Sequence, residues 1–513
     1  MDSDARAAPP AAMAPPMRAV RNGEAVARAD IPSVSMDDFR RAVVSACSAK
    51  ARLAAMAVLP GLASGRVLLA VLADDKNQRL GLLCTGVPLD NRYPALTPQL
   101  VQAQAFEREI LEEHGIVPEG HPWPKPLRRH ADLESPSDRP PDPDPYPFFR
   151  VEGPGIHEVA VGPVHAGIIE PGHFRFQCHG ETVLHLEIQL GYQRRGAEAL
   201  LLRSSPARRM VIAETMAGDT SVGHALAYSM ALEALTDTAP PPQAEVVRGI
   251  ALELERLANH VGDLGALCND VGYLPGASWF GRLRGEFLNL SLELCGSRFG
   301  RGLIILGGVR FDLPAAGRET FLARLQAADT DLRHIADVVF QTPAVVSRFE
   351  GTGVVTAALA ETLGLVGVVA RASGCDVDVR RDYPVGVFRR TSIESGAASS
   401  GGVMARAQIR RREAESSIAF VRQQVETLSD GARSVALGDA RPHALAVALV
   451  EGWRGEILHL AATDDKGRLA AYKVVDPSFH NWLGLAMALR GGQISDFPLC
   501  NKSFNLSYAG HDL

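Results

Sequence analysis

The sequence predicts an α+β chain with a small α/β unit first, a proline-rich linker, and then a large, mainly helical unit carrying β-hairpins at its start and near its end. Three observations predict it. Residues 131–147 read ADLESPSDRPPDPDPYP, six prolines and five acidic residues in 17 positions, which cannot build a core element and read as a stiff, extended linker. Short apolar runs flanking turn residues occur on both sides of that linker. Beyond residue 240 the apolar residues fall at helical spacing.

Taken in order, residues 1–30 are rich in Ala, Pro and Arg, lack periodicity, and are expected to be disordered. Residues 31–130 form the small unit. A helix is expected to begin near Met36-Asp37-Asp38. The runs Arg66–Ala73 and Leu80–Cys84 flank Asp74-Asp75-Lys76-Asn77-Gln78, a hairpin signal. Thr97-Pro98 reads as an N-cap with proline at N1, opening a helix through Glu113 that Gly115 ends. Residues 131–150 are the linker and 151–513 the large unit. That unit opens with β-like segments at Gly153–Val164, Phe174–His179 and Val183–Gln189. Residues 246, 250, 254, 257, 261 and 264 are apolar, which predicts a helix over Glu245–Cys268. Val403–Leu428 reads as a second long helix, with Arg406, Arg410, Arg411 and Arg412 on a solvated or partner-facing surface. Gly455–Leu460 and Leu469–Val475 bracket Asp464-Asp465-Lys466-Gly467 as another hairpin.

Composition narrows the function classes. A chain of 513 residues suggests two to four domains and buries a large core without staples. The net charge of −6 leaves no electrostatic footprint for nucleic acid. Only six residues are Lys, so Arg supplies most of the basic charge. The most apolar runs, such as Leu363–Ala370 and Leu303–Val309, fall far short of the roughly 20 residues a bilayer needs. The N-terminal stretch has no apolar h-region. A cytoplasmic chain is therefore expected, with any membrane association made through partners. Seven cysteines, none in C-x-x-C spacing, argue against disulfides and against a locally built zinc or iron–sulfur site.

Certain strings carry a family likeness. Tyr93-Pro94-Ala95-Leu96-Thr97, Phe106-Glu107-Arg108-Glu109, Gly115-Ile116 and Glu119-Gly120-His121-Pro122 resemble the small hydrophilic subunit of complex I. The same module precedes the large subunit in formate hydrogenlyase-type hydrogenases. The resemblance implies a docking module without a cofactor. The large unit resembles the family shared by the quinone-site subunit of complex I and the large subunit of [NiFe] hydrogenases. Its strings are Gly162-Pro163-Val164-His165, Gly191-Tyr192-Gln193-Arg194-Arg195-Gly196-Ala197-Glu198, Glu253-Leu254-Glu255-Arg256-Leu257-Ala258-Asn259-His260, Gly307-Gly308-Val309-Arg310 and Arg454-Gly455-Glu456. Glu170-Pro171-Gly172-His173-Phe174-Arg175 tilts it toward the membrane-bound hydrogenase branch.

The resemblance also locates what is absent. The family holds nickel and iron on two C-x-x-C pairs, because those ions want soft thiolates. The first pair falls at Ala217 and Thr220, inside Ala217-Gly218-Asp219-Thr220-Ser221-Val222-Gly223-His224. The second falls at Ser507 and Gly510, inside Ser503-Phe504-Asn505-Leu506-Ser507-Tyr508-Ala509-Gly510. No nickel–iron centre and no other cofactor is therefore expected in this chain. The tyrosine and histidine by which the complex I branch holds a quinone correspond, counted without gaps, to Gly218 and Ile169.

Residues that match the family's site are Glu170 (a proton-passing glutamate), Asp270 (an aspartate partnering the quinone histidine), Arg454 (an arginine poised over the metal), His165 and His224. Buried together they would have displaced pKa values and relay protons; the alternative is a satisfied ion-pair network. The resemblance implies a peripheral-arm core subunit of a complex-I-like, hydrogenase-related membrane complex. It would take electrons from a [4Fe–4S] cluster in a partner small subunit to an unidentified acceptor. Antiporter-like and anchor subunits would tie it to the membrane and couple proton movement. Two other readings stay open: a non-catalytic scaffold, and an NAD(P)H/quinone oxidoreductase subunit with an altered quinone pocket.

Overall fold

The structure is a computed structural model that describes residues 17–128, 146–165 and 169–513. Most of the proline-rich linker, and residues 1–16 of the expected disordered tail, lie outside the described residues.

The rest of that tail corrects the expectation of disorder. Arg18–Val20 forms a strand against Arg79–Gly86, and Ala25–Ala27 pairs with Ala444–Gly452. Asn22 sits between these strands, buried, its side chain bonded to the backbone of Leu449 and Tyr383. A three-residue strand shows no periodicity, so only the tertiary partner reveals it.

The expected hairpin of the small unit forms, with Arg66–Asp74 and Arg79–Gly86 antiparallel, and Arg52–Pro60 adds a further strand. Met36–Ser48 is helical, capped by the Ser35 hydroxyl accepting from the Asp38 N–H. Thr97 does not cap the next helix, which runs Gln104–His114. Instead Glu107, from within that helix, accepts from the Leu96 and Thr97 N–H groups and from the Thr97 hydroxyl. A buried carboxylate satisfies these donors in place of helix extension. Gly115 ends the helix at φ 62°.

In the large unit, Ile156–Val161, His173–His179 and Thr182–Gln189 form an antiparallel sheet. Long helices Pro242–Asp270, Leu274–Cys295, Ala315–Gln341 and Val403–Glu426 build the helical body. Ala444–Gly452, Gly455–Thr463 and Leu469–Val475 form a sheet completed by Ala25–Ala27. The small and large units share a core: Phe39, Leu69 and Phe106 cluster with Leu445, Leu458 and Phe479. Phe106 and Phe479 meet at 5.0 Å between ring centroids. All seven cysteines are free, and no helix is long and apolar enough to cross a membrane among the described residues.

The arginine-rich stretch of Val403–Glu426 departs from a solvated surface. Arg406 and Arg410 are fully buried. Arg406 donates to Gly353 O, Gly401 O and Ser503 Oγ, and lies 4.3 Å from the Phe504 ring centroid. Arg410 bonds Asp263 at 2.8 Å. Only Arg412 is exposed and Arg411 half-buried. Helical spacing put these arginines on one helix, but the neighbouring backbone carbonyls decided which of them point inward.

Candidate functional site

The turn between Ala444–Gly452 and Gly455–Thr463 presents Trp453 and Arg454. Arg454 holds Asp219 through both oxygens, Nη1–Oδ1 2.6 Å and Nη2–Oδ2 2.7 Å, and its Nε donates to Asn505 O at 2.5 Å. The guanidinium lies 3.9 Å from the Trp453 ring centroid. Trp453 Nε1 donates to Asp219 O and Thr220 Oγ1, both at 3.1 Å. Gly367, at φ +65°, lets its backbone approach so closely that a Cβ there would sit 2.1 Å from Arg454 O.

The Glu253–His260 string explains why this turn is rigid. Glu255 accepts from the Val222 and Gly223 N–H groups, the free donors at the start of helix Ser221–Leu235. Asn259 Nδ2 donates to Asp219 O at 3.0 Å. Arg256 reaches the carbonyls of Glu451 and Gly452. His260 bonds Glu413 at 2.8 Å. Glu413 also accepts from Arg371 at 2.7 Å, Arg371 donates to Glu451 at 2.8 Å, and Arg380 bridges Asp378 and Glu253. Removing such charges from water is costly, and their mutual pairing is what offsets it.

The expected site residues divide. Burial raises the pKa of Glu170; the negative charge of Asp219 adds to this, and Arg195 and Arg454 oppose it. Glu170 is therefore within electrostatic reach of the Arg454–Asp219 pair. For Asp219 burial works the other way, but Arg454 prevails and holds its carboxyl below the usual carboxylate range. His224 is buried near Asp476, Nε2–Oδ2 3.4 Å, and its Nδ1 lies 3.1 Å from His459 Nε2. His165 bonds Gly172 O at 2.9 Å and packs 6.1 Å from the Phe174 ring. It braces the loop on which Glu170 sits. Asp270 departs from the expectation of a cavity residue. It is exposed at the C-terminal end of Pro242–Asp270, where Lys502 is its charged neighbour. The aspartate of that helix that reaches the site is Asp263, which binds Asn505 Nδ2 at 2.6 Å as well as Arg410. Asp263 and Asp270 are seven residues apart and share a face, so it is position along the axis, about 10 Å further on at the end of the helix, that carries Asp270 out of the site.

The positions where the family carries thiolates are all buried. Ala217 and Gly510 offer no side-chain donor atom. Thr220 Oγ1 donates to Asp219 Oδ1 at 3.1 Å. Ser507 Oγ accepts from the Ala509 N–H at 3.1 Å. Neutral hydroxyls are weak ligands for nickel and iron. Among the quinone positions, Ile169 is 50 % exposed, and a side chain built on Gly218 would meet open space.

Asp219, Asp263, Asp476, His459 and Tyr472 complete the site region and were not singled out from the sequence. Asp219 lay inside a string already recognised. Asp476-Pro477 carried a cap signal, and Asp476 does cap Pro477–Leu489. Nothing in the sequence marks His459 or Tyr472, which sit in largely apolar strands.

Comparison with known proteins accounts for the same segments. Residues 270–441 match the family described as respiratory-chain NADH dehydrogenase, 49 Kd subunit. The chain is 33 % identical over 350 residues to the carbon monoxide-induced hydrogenase of Rhodospirillum rubrum, covering 68 % of this chain and 97 % of that protein. It is 28 % identical over 442 residues to hydrogenase-4 component G of Escherichia coli, covering 83 % of this chain and 77 % of that protein. That span is longer than residues 151–513, so the likeness extends into the small unit. Subunit 4 of the NADH-quinone oxidoreductase of Thermus thermophilus is 29 % identical over 376 residues, covering 66 % of this chain and 90 % of that protein. The glutamate–arginine–histidine scaffold, the buried arginine turn and these matches together place the chain: it belongs to the family that unites the large subunits of membrane-bound hydrogenases with the 49 kDa subunit of respiratory NADH dehydrogenase.

Proposed function

We propose that this chain is a peripheral core subunit of a hydrogenase-related, complex-I-like membrane redox complex. It accepts electrons from a [4Fe–4S] cluster of a partner small subunit, delivers them to an acceptor other than a nickel–iron centre, and moves protons through Glu170. The relatives are named for hydrogenase and NADH–quinone oxidoreductase activities. With no apolar helix of spanning length among the described residues, partner subunits would hold the chain at the membrane.

The observation that carries the reading is the cluster of Glu170, Asp219 and Arg454. Arg454 holds the Asp219 carboxyl below the usual carboxylate range, and burial, helped by the charge of Asp219, raises the proton affinity of Glu170. A carboxyl of raised proton affinity can pass a proton to a neighbouring atom that becomes more basic and recover one afterwards, which is general acid–base chemistry. Thr220 and Ser507, already hydrogen-bonded, and Ala217 and Gly510, without donors, support the reading that no nickel is held.

One observation favours a second reading, a scaffold without catalysis. Every nitrogen of the Arg454 guanidinium has a protein partner, as in a structural ion pair. Glu170→Gln and Arg454→Ala in the assembled complex decide between the readings. Loss of turnover and proton coupling supports the first; normal assembly with both intact supports the scaffold. Metal analysis of the purified complex tests the remaining point, since stoichiometric nickel in this chain would restore a hydrogenase reading.

A further inference from the structure

A file of buried hydrogen-bonding side chains leads away from Arg454. It begins at Asp476, whose pKa lies below the usual carboxylate range. Burial opposes this, and His224 and Arg454 outweigh it. Asp476 Oδ2 and His224 Nε2 lie 3.4 Å apart, and neither atom has a hydrogen-bond partner among the described residues. His224 Nδ1 is 3.1 Å from His459 Nε2, and His459 Nδ1 is 2.7 Å from the Tyr472 hydroxyl. All four residues are buried. Tyr472 lines a cavity of about 640 Å³ beside helix Gln104–His114, together with Glu109, Glu113, Glu198, Arg194 and Lys473.

We propose that Asp476, His224, His459 and Tyr472 form a proton relay between the Arg454 site and this acidic cavity. The proposal rests on the reading that the site moves protons, and it adds a route that Glu170 does not supply. Burial opposes charge on His459 and on Tyr472: it holds the His459 imidazole well below its ordinary pKa and the Tyr472 hydroxyl well above its own. A neutral imidazole carries one N–H and one lone pair, so two in series pass protons in one direction per cycle.

With Nε2 protonated on both rings, the step balances. A proton arrives at the Tyr472 oxygen, and the proton already on that oxygen passes to His459 Nδ1. The His459 Nε2 proton passes to His224 Nδ1, and the His224 Nε2 proton to Asp476 Oδ2. One proton enters, one is delivered, both rings exchange tautomers, and no electron moves. Glu198, to which Lys473 donates, faces Tyr472, as does Tyr228, 6.1 Å away between ring centroids, with Arg209 behind it. Arg454 faces Asp476. In the cavity, Lys473 bridges Glu109 and Glu198, and Arg128 pairs Glu109 and Glu113; burial raises Glu109 to about 7, against the pull of Arg128 and Lys473, which suits it to taking up a proton.

The test is infrared difference spectroscopy on the assembled native complex, poised electrochemically oxidised and reduced, in H₂O and D₂O buffer. Imidazole and tyrosine bands that shift in D₂O are expected in the redox difference spectrum. Tyr472→Phe, which keeps the ring, should abolish the tyrosine band, and His459→Gln should abolish the imidazole bands, with subunit composition unchanged. If the Glu170 carboxyl band responds, disappearing in Glu170→Gln, while neither relay variant alters the spectrum, the relay is overturned and the proposed function stands. If the wild-type spectrum shows no carboxyl, imidazole or tyrosine response, both fall.

Discussion

Arg454 and Asp219 are joined by two parallel hydrogen bonds of 2.6 and 2.7 Å, within a motif in which the family's metal ligands are replaced. The pair links the turn after Ala444–Gly452 to the segment before helix Ser221–Leu235, two segments 235 residues apart in the chain.

Breaking this pair should destabilise the chain. Asp219→Asn leaves the buried Arg454 without its counter-charge. Asp219 is itself 38 % exposed, so water recovers part of the loss. The expected cost is about 2 kcal/mol, below the roughly 3–5 kcal/mol of a fully buried pair. Urea denaturation of the purified chain checks it, and an unchanged midpoint would count against the pair as a structural element.

The Arg371 network should be less forgiving. Arg371, Glu413 and Glu451 are all buried, and Arg371 donates to both carboxylates. Arg371→Leu strands two carboxylates in the interior, at an expected cost of about 3–5 kcal/mol. The same denaturation experiment, together with the soluble yield, reads the effect.

Glu170→Gln should uncouple protons without unfolding the chain. The glutamate is half-buried, and glutamine keeps its shape. Proton-coupled turnover of the complex is expected to fall about 10²-fold or more, with the unfolding midpoint unchanged. Vesicles of the membrane complex with an entrapped pH dye measure the coupling.

Acid should weaken the fold through its buried histidines. Burial lowers His260 to about 4, against the pull of Glu413, and lowers His480 to about 3, with Arg52 adding to the effect. Their pKa values are depressed in the folded state, so the unfolded chain binds more protons below pH 6.5. Stability is therefore full above that pH and is lost as pH falls toward 4, by about 1.4 kcal/mol per unit for each histidine. Urea midpoints from pH 7.5 to 4.5 should fall, and His480→Gln should flatten the slope.

The sequence by itself determined the composition limits, the long helices and the hairpins, because periodicity and turn residues are local properties. It also determined the family and the replaced positions Ala217, Thr220, Ser507 and Gly510, because those sit in strings that hold their register. Only the tertiary structure decided which charges meet. Arg406 and Arg410 turned inward because carbonyls and Asp263 wait there. Asp270 stayed outside and Asp263 entered the site, since Asp270 lies two turns further along the same face, at the end of the helix, while Asp263 meets Asn505. The strands at Arg18–Val20 and Ala25–Ala27 exist because distant strands offer them ladders. The file from Asp476 to Tyr472 joins a helix, two strands and a cap, and no local pattern encodes that meeting. A buried proton or charge is stable only where its partners converge, and convergence is a property of the folded chain.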